Sequence, residues 1–134
     1  MVGFNSTGDL SFDTRWESGE KDANIECYGV QQALDGGFIM TCGNGVESEL
    51  HPNDSAQMKT WMVFVARTDE NGNPMWSGNF TDNAALQNNA GEYIVATRDG
   101  GYAVYVDSQS WGPGSTGGNF AIMMLGKDAS VSPA

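Results

Sequence analysis

The sequence is poor in basic residues, histidine and cysteine, and it holds no long apolar run. Six lysines and arginines stand against 17 aspartates and glutamates among 134 residues, a net charge of −11. Such a surface repels phosphate, which excludes nucleic acid and anionic membrane as partners. It suits a cationic partner or a divalent ion, although diffuse acidity makes no site by itself. The single histidine, His51, rules out multi-histidine metal sites and leaves a Ser-His-Asp arrangement without support. No stretch reaches the roughly 18 apolar residues of a membrane-spanning helix. Met1-Val2-Gly3-Phe4-Asn5 lacks the basic flank and apolar run of a leader. The chain therefore reads as neither targeted nor spanning, and its compartment stays open.

Motifs of catalysis are missing too. There is no phosphate loop, paired-cysteine motif or nucleophile elbow. Asp69-Glu70-Asn71-Gly72-Asn73 faintly resembles an ion loop, but the twelfth position is Phe80, where an EF-hand needs Glu. No cofactor, metal or catalytic residue is expected. Helical periodicity is absent, with Ala84-Ala85-Leu86-Gln87 sufficient for one turn at most. The two cysteines, Cys27 and Cys42, fall on opposite arms of a hairpin expected to turn at Asp35-Gly36. In that register Cys27 faces Asn44 and Cys42 faces Gly29, so two buried free thiols are expected rather than a disulfide.

What is present is a repeat. Asp35-Gly36-Gly37-Phe38 returns as Asp99-Gly100-Gly101-Tyr102, and Thr7-Gly8-Asp9-Leu10-Ser11-Phe12 aligns with Asn71-Gly72-Asn73-Pro74-Met75-Trp76, both at an offset of 64. Residues 61–69 match 120–128 at an offset of 59, as if the second copy had lost five residues from the preceding loop. Each copy reads as four strands: 28–33, 38–42, 61–68 and 74–80 in the first; 92–97, 102–106 and 120–127 in the second. The second is one strand short, and the N-terminal strand 10–16 is expected to complete it by pairing with 120–127.

An apolar-aromatic strand ending in Asp, then a Gly-containing turn and Trp, then Asp-Gly-Gly-Tyr or Phe, resembles a type of bacterial β-propeller repeat. The resemblance implies an all-β fold of two four-stranded antiparallel blades in one domain. The first blade would span about 17–80; the second would span about 81–134 with strand 4–16. It transfers no catalytic residue, because the Asp-Gly-Gly and Asn-Gly turns serve structure in that family.

The third strands, Trp61-Met62-Val63-Phe64-Val65-Ala66 and Phe120-Ala121-Ile122-Met123-Met124-Leu125, are apolar at every position, so both faces of each sheet need cover. With no helix to supply it, other copies of the chain are the expected cover, in a head-to-tail homo-oligomeric ring. A trimer is favoured over a dimer or tetramer. Strands 10–16 and 74–80 belong at the rim, because Pro74 lacks the N–H a central strand uses.

The long connections 43–60 and 107–119 share an end of the fold with 17–26 and 81–90. That end carries Asp22, Glu47, Glu49, His51, Asn53, Asp54, Asn83, Gln109, Ser110 and Trp111. Candidate ligand-binding residues are Trp111, Ser110, Gln109, Asn53, Asp54, His51 and Asn83. An indole face beside planar polar groups suits the apolar face and hydroxyls of a sugar. The expected function is a non-enzymatic module binding a carbohydrate or another small polar ligand. The alternative is a structural or protein-interaction module with an acidic surface.

Overall fold

Nine strands and no helix make up the described part of the computed structural model, which covers residues 1–17, 24–47, 59–80, 88–109 and 118–130. Three antiparallel sheets result. β1 (Val2–Phe4) pairs with β2 (Leu10–Asp13). β3 (Asn24–Gln32), β4 (Phe38–Glu47), β5 (Lys59–Thr68) and β6 (Pro74–Phe80) form a four-stranded sheet in chain order. β7 (Asn89–Ala96), β8 (Tyr102–Ser108) and β9 (Asn119–Leu125) form a three-stranded one. Pro74 opens β6, an edge strand, where its missing N–H breaks no ladder.

The turns explain the register. At 5–9, 33–37, 69–73, 97–101 and 126–130 the first N–H donates to the fifth carbonyl and the fourth N–H to the first carbonyl. The fourth residue has positive φ each time: Gly8, Gly36, Gly72, Gly100 and Ala129. This is a three-residue loop closing on a left-handed residue, which glycine enters without steric cost. Asp35, Asp99 and Asp128 each accept, through Oδ1, the N–H two residues on.

Two single-residue shifts overturn the expectation for the cysteines. The turn holds three residues rather than two, and a bulge at Tyr28 adds a second shift, so Cys27 pairs with Cys42 and the two form a disulfide. The same bulge recurs at Glu92 in β7, at the 64-residue offset. Val106 and Gly91 stand there in place of the cysteines.

The expected pairing of 10–16 with 120–127 does not occur. β2 pairs instead with β1, through a loop only three residues long, and β9 has no fourth strand beside it among the described residues. Closing a short loop orders far less chain than joining strands more than a hundred residues apart. The hairpin is itself a repeat equivalent: Gly3 pairs with Phe12 as Arg67 pairs with Trp76, and a register shift follows Gly3 as it follows Arg67. The offset of 59 is also corrected. Phe38 pairs with Thr68 and its equivalent Tyr102 with Leu125, so the third strands align at an offset of 57.

The main core lies between the two larger sheets. Ile39, Val63 and Val65 pack against Ile94, Tyr102, Val104, Val106, Met123 and Leu125, with Trp76 and Phe80 at the margin. Each such side chain contributes about 1.5–3 kcal/mol on burial. The approach is close enough that a β-carbon on Gly91 would lie 1.9 Å from Thr41 Oγ1. Arg67, 1% exposed, is buried at this contact. Its Nε donates to Tyr102 Oη at 2.7 Å, its Nη1 to the Phe38 carbonyl at 3.3 Å, and its Nη2 pairs with the Asp35 carboxylate.

A second cluster, Met40, Cys42, Phe64 and Ala66, lies on the opposite face of the four-stranded sheet under Met1, Trp16 and Ile25. β5 is thus covered on both faces from within the chain, which corrects the expectation that other copies must do it. β9 is covered on one face only, and Phe120 and Ile122 stay 76% and 68% exposed.

Candidate functional site

β4 and β8 end, and β5, β7 and β9 begin, at the same end of the two larger sheets. The connections singled out in the sequence leave from there. Of the expected ligand-binding residues, Gln109 is described. Trp111, Ser110, Asn53, Asp54, His51 and Asn83 lie outside the described residues, as do Asp22 and Glu49.

Gln109 lines a cavity of about 220 Å³ together with Trp61, Asn88, Asn89, Ala90, Asp107 and Gly118. Its polar groups are held by a backbone and side-chain lattice. Gln109 N–H donates to the Asn88 carbonyl at 2.9 Å, and Asn88 N–H donates to Gln109 Oε1 at 3.4 Å. Asn88 Oδ1 accepts the backbone N–H of Trp61 at 3.1 Å, tying β5 to the segment entering β7. Beneath, the buried Ser108 Oγ donates to Asn89 Oδ1 at 2.6 Å.

The aromatic wall is Trp61, and its position follows from glycines on the neighbouring strand. A β-carbon at Gly43 or Gly45 would come within 3.0 Å of the indole, so blank positions on β4 let the ring lie against the backbone. Sequence reasoning chose Trp111 and missed Trp61, Asn88, Asn89 and Asp107. The signal for Trp61 was there: Gly43-Asn44-Gly45 leaves one face of an otherwise side-chain-rich strand empty.

Two carboxylates stand near this end. Burial pushes the Glu92 carboxyl up, and the charge of Asp107 pushes it the same way. Among the described residues no group of three or more histidine, cysteine, aspartate or glutamate side chains is placed to hold a metal. The cavity combines one aromatic face, amide groups and a carboxylate, a set suited to hydrogen-bonding an uncharged polyhydroxylated or amide-bearing ligand.

Scanning the sequence against models of protein families, and searching curated proteins and solved structures, produced no match.

Proposed function

We propose that the chain is a non-enzymatic binding module that recognises a carbohydrate or another small neutral polar ligand at the loop end of its two larger sheets. The observation that supports this reading is the cavity in which the Trp61 indole meets Asn88, Asp107 and Gln109. Its volume lies below the roughly 300–1,000 Å³ of drug-sized sites, which favours one sugar unit or a terminal residue over an extended chain. The net charge of −11 opposes anionic ligands, whereas Asp107 accepts hydrogen bonds from hydroxyls.

A glycan array combined with a thermal-shift screen of neutral metabolites tests the proposal. A hit is expected, and Gln109→Ala should weaken it about tenfold, the worth of one or two hydrogen bonds. Trp111→Ala is predicted to weaken it too, because an indole face suits the apolar face of a sugar. A screen without any hit ends this reading.

A further inference from the structure

The outer face of the three-stranded sheet is apolar and uncovered. Tyr93 and Val95 on β7, Tyr105 on β8, and Phe120, Ile122 and Met124 on β9 all project from it into solvent. They form one patch: Tyr93 pairs with Tyr105 and Tyr105 with Ile122, while Tyr105 and Phe120 stack at 5.3 Å. On the far side of the molecule the N-terminal hairpin leaves part of the four-stranded sheet open. A groove of about 620 Å³ lies there, with Ile25, Tyr28, Val30, Met40, Phe64 and Trp16 in its walls. Val30 is 62% exposed.

These two open surfaces are the two halves of a contact the chain already makes. On the three-stranded sheet, the residues facing the core are Ile94, Tyr102, Val104, Val106, Met123 and Leu125. The repeat registers equate them with Val30, Phe38, Met40, Cys42, Ala66 and Thr68, which belong to the groove side of the four-stranded sheet. Likewise Ala103, Tyr105, Phe120 and Ile122 on the uncovered face equate with Ile39, Thr41, Val63 and Val65 on the core face. The internal contact therefore joins unlike faces, and one unsatisfied face of each kind remains. Within the chain the strand pressed most against the neighbouring sheet is β7, on β3, β4 and β5. Its repeat equivalent is β3, the strand whose outer side the hairpin leaves open.

We infer that the partner of the uncovered face is a second copy of this chain, which docks the groove side of its four-stranded sheet there and so repeats the internal sheet contact between molecules. The hairpin adapts to this. β1 is equivalent to the end of β9, so β1 of the docking copy yields its place and β2 gains β9 of the first copy as neighbour. By the β5–β6 register this sets Arg15 opposite Ala121 and Phe12 opposite Met124. The inference is independent of the ligand-binding proposal.

Light scattering on the full chain at micromolar concentration should give a multiple of the single-chain mass. Ile122→Glu blunts one face and Val30→Glu the other, and neither residue is in the core. Each variant alone should run as a single folded chain, while an equimolar mixture should form a one-to-one complex that grows no further. A parent chain that stays single, variants that assemble like the parent, or a mixture that stays dissociated would each overturn the inference. Should either variant fail to fold, the double variant Arg15→Cys, Ala121→Cys decides instead. Disulfide-linked chains on a non-reducing gel support the docking, and their absence overturns it.

Discussion

Among single residues, Cys27, Cys42 and Arg67 govern the four-stranded sheet and its core contact. The Cys27–Cys42 bridge spans a sequence separation of 15. Cross-linking a loop of that size restricts the unfolded chain by about 3 kcal/mol. Reductant, or Cys27→Ser with Cys42→Ser, should lower the denaturation midpoint accordingly, and an unchanged midpoint would show the bridge to be energetically silent. Arg67 depends on Tyr102 Oη for its Nε. Tyr102→Phe should cost about 1–3 kcal/mol, because a buried donor then loses its acceptor, and urea unfolding measures this directly. The bridge was not legible in the sequence, because two separate one-residue shifts, one in the length of the turn and one at the Tyr28 bulge, bring the sulfurs together. Trp61 was legible in principle, from Gly43 and Gly45 facing it on β4.

Among the elements, the hairpin turns carry the fold. At Gly100 φ is +87° and a β-carbon would meet nothing within 4 Å, so Gly100→Ala isolates the backbone effect. A loss of about 1–2 kcal/mol is expected. Gly37→Ala should be far worse, since its β-carbon would lie 2.3 Å from the Thr68 carbonyl oxygen. The same turns make the protein acid-sensitive. Hydrogen bonds from Thr7 and Asn73 hold the Asp9 and Asp69 carboxyls below the usual carboxylate range, and Thr97 and Ser130 do so for Asp99 and Asp128. At Asp35 desolvation works upward, but the Gly37 N–H and Arg67 outweigh it and the carboxyl is again lowered. Depressed folded values mean stability that is present above the unfolded value near about 3.9 and is lost as pH falls through the folded ones. A melting temperature that declines below about pH 4 at physiological ionic strength is expected, and a flat profile there would count against it. These turns and most strands were readable from Asp-Gly-Gly and Asn-Gly spacing. The role of β2 was not, because strand 10–16 matches β6 equally well whether it pairs with β1 or with β9.

For the whole molecule the governing quantities are the open apolar surfaces on its two larger sheets and a net charge of −11. Charge repulsion between copies opposes any association that the apolar surfaces favour, and salt screens only the repulsion. Association should therefore strengthen as salt is raised, and weakening would point to an ionic partner instead. The sequence pattern of β9 shows a strand apolar on both faces, of which one is exposed, while for β5 it could not reveal that the chain's own first sixteen residues provide the second cover.

The contact between unlike faces has a direction, and on the docking inferred above each chain is bifunctional in the sense polymer chemists give to a monomer with two complementary ends. Joining two units consumes one end of each and leaves one of each kind, so the contact chemistry sets no final number; only the angle between successive sheets can do that, by bringing the last end round to the first. A chain with one blunted face then acts as a terminator. Added in small amounts to the parent, Val30→Glu should shorten open assemblies in proportion to its share, whereas closed rings already formed would resist it until they opened.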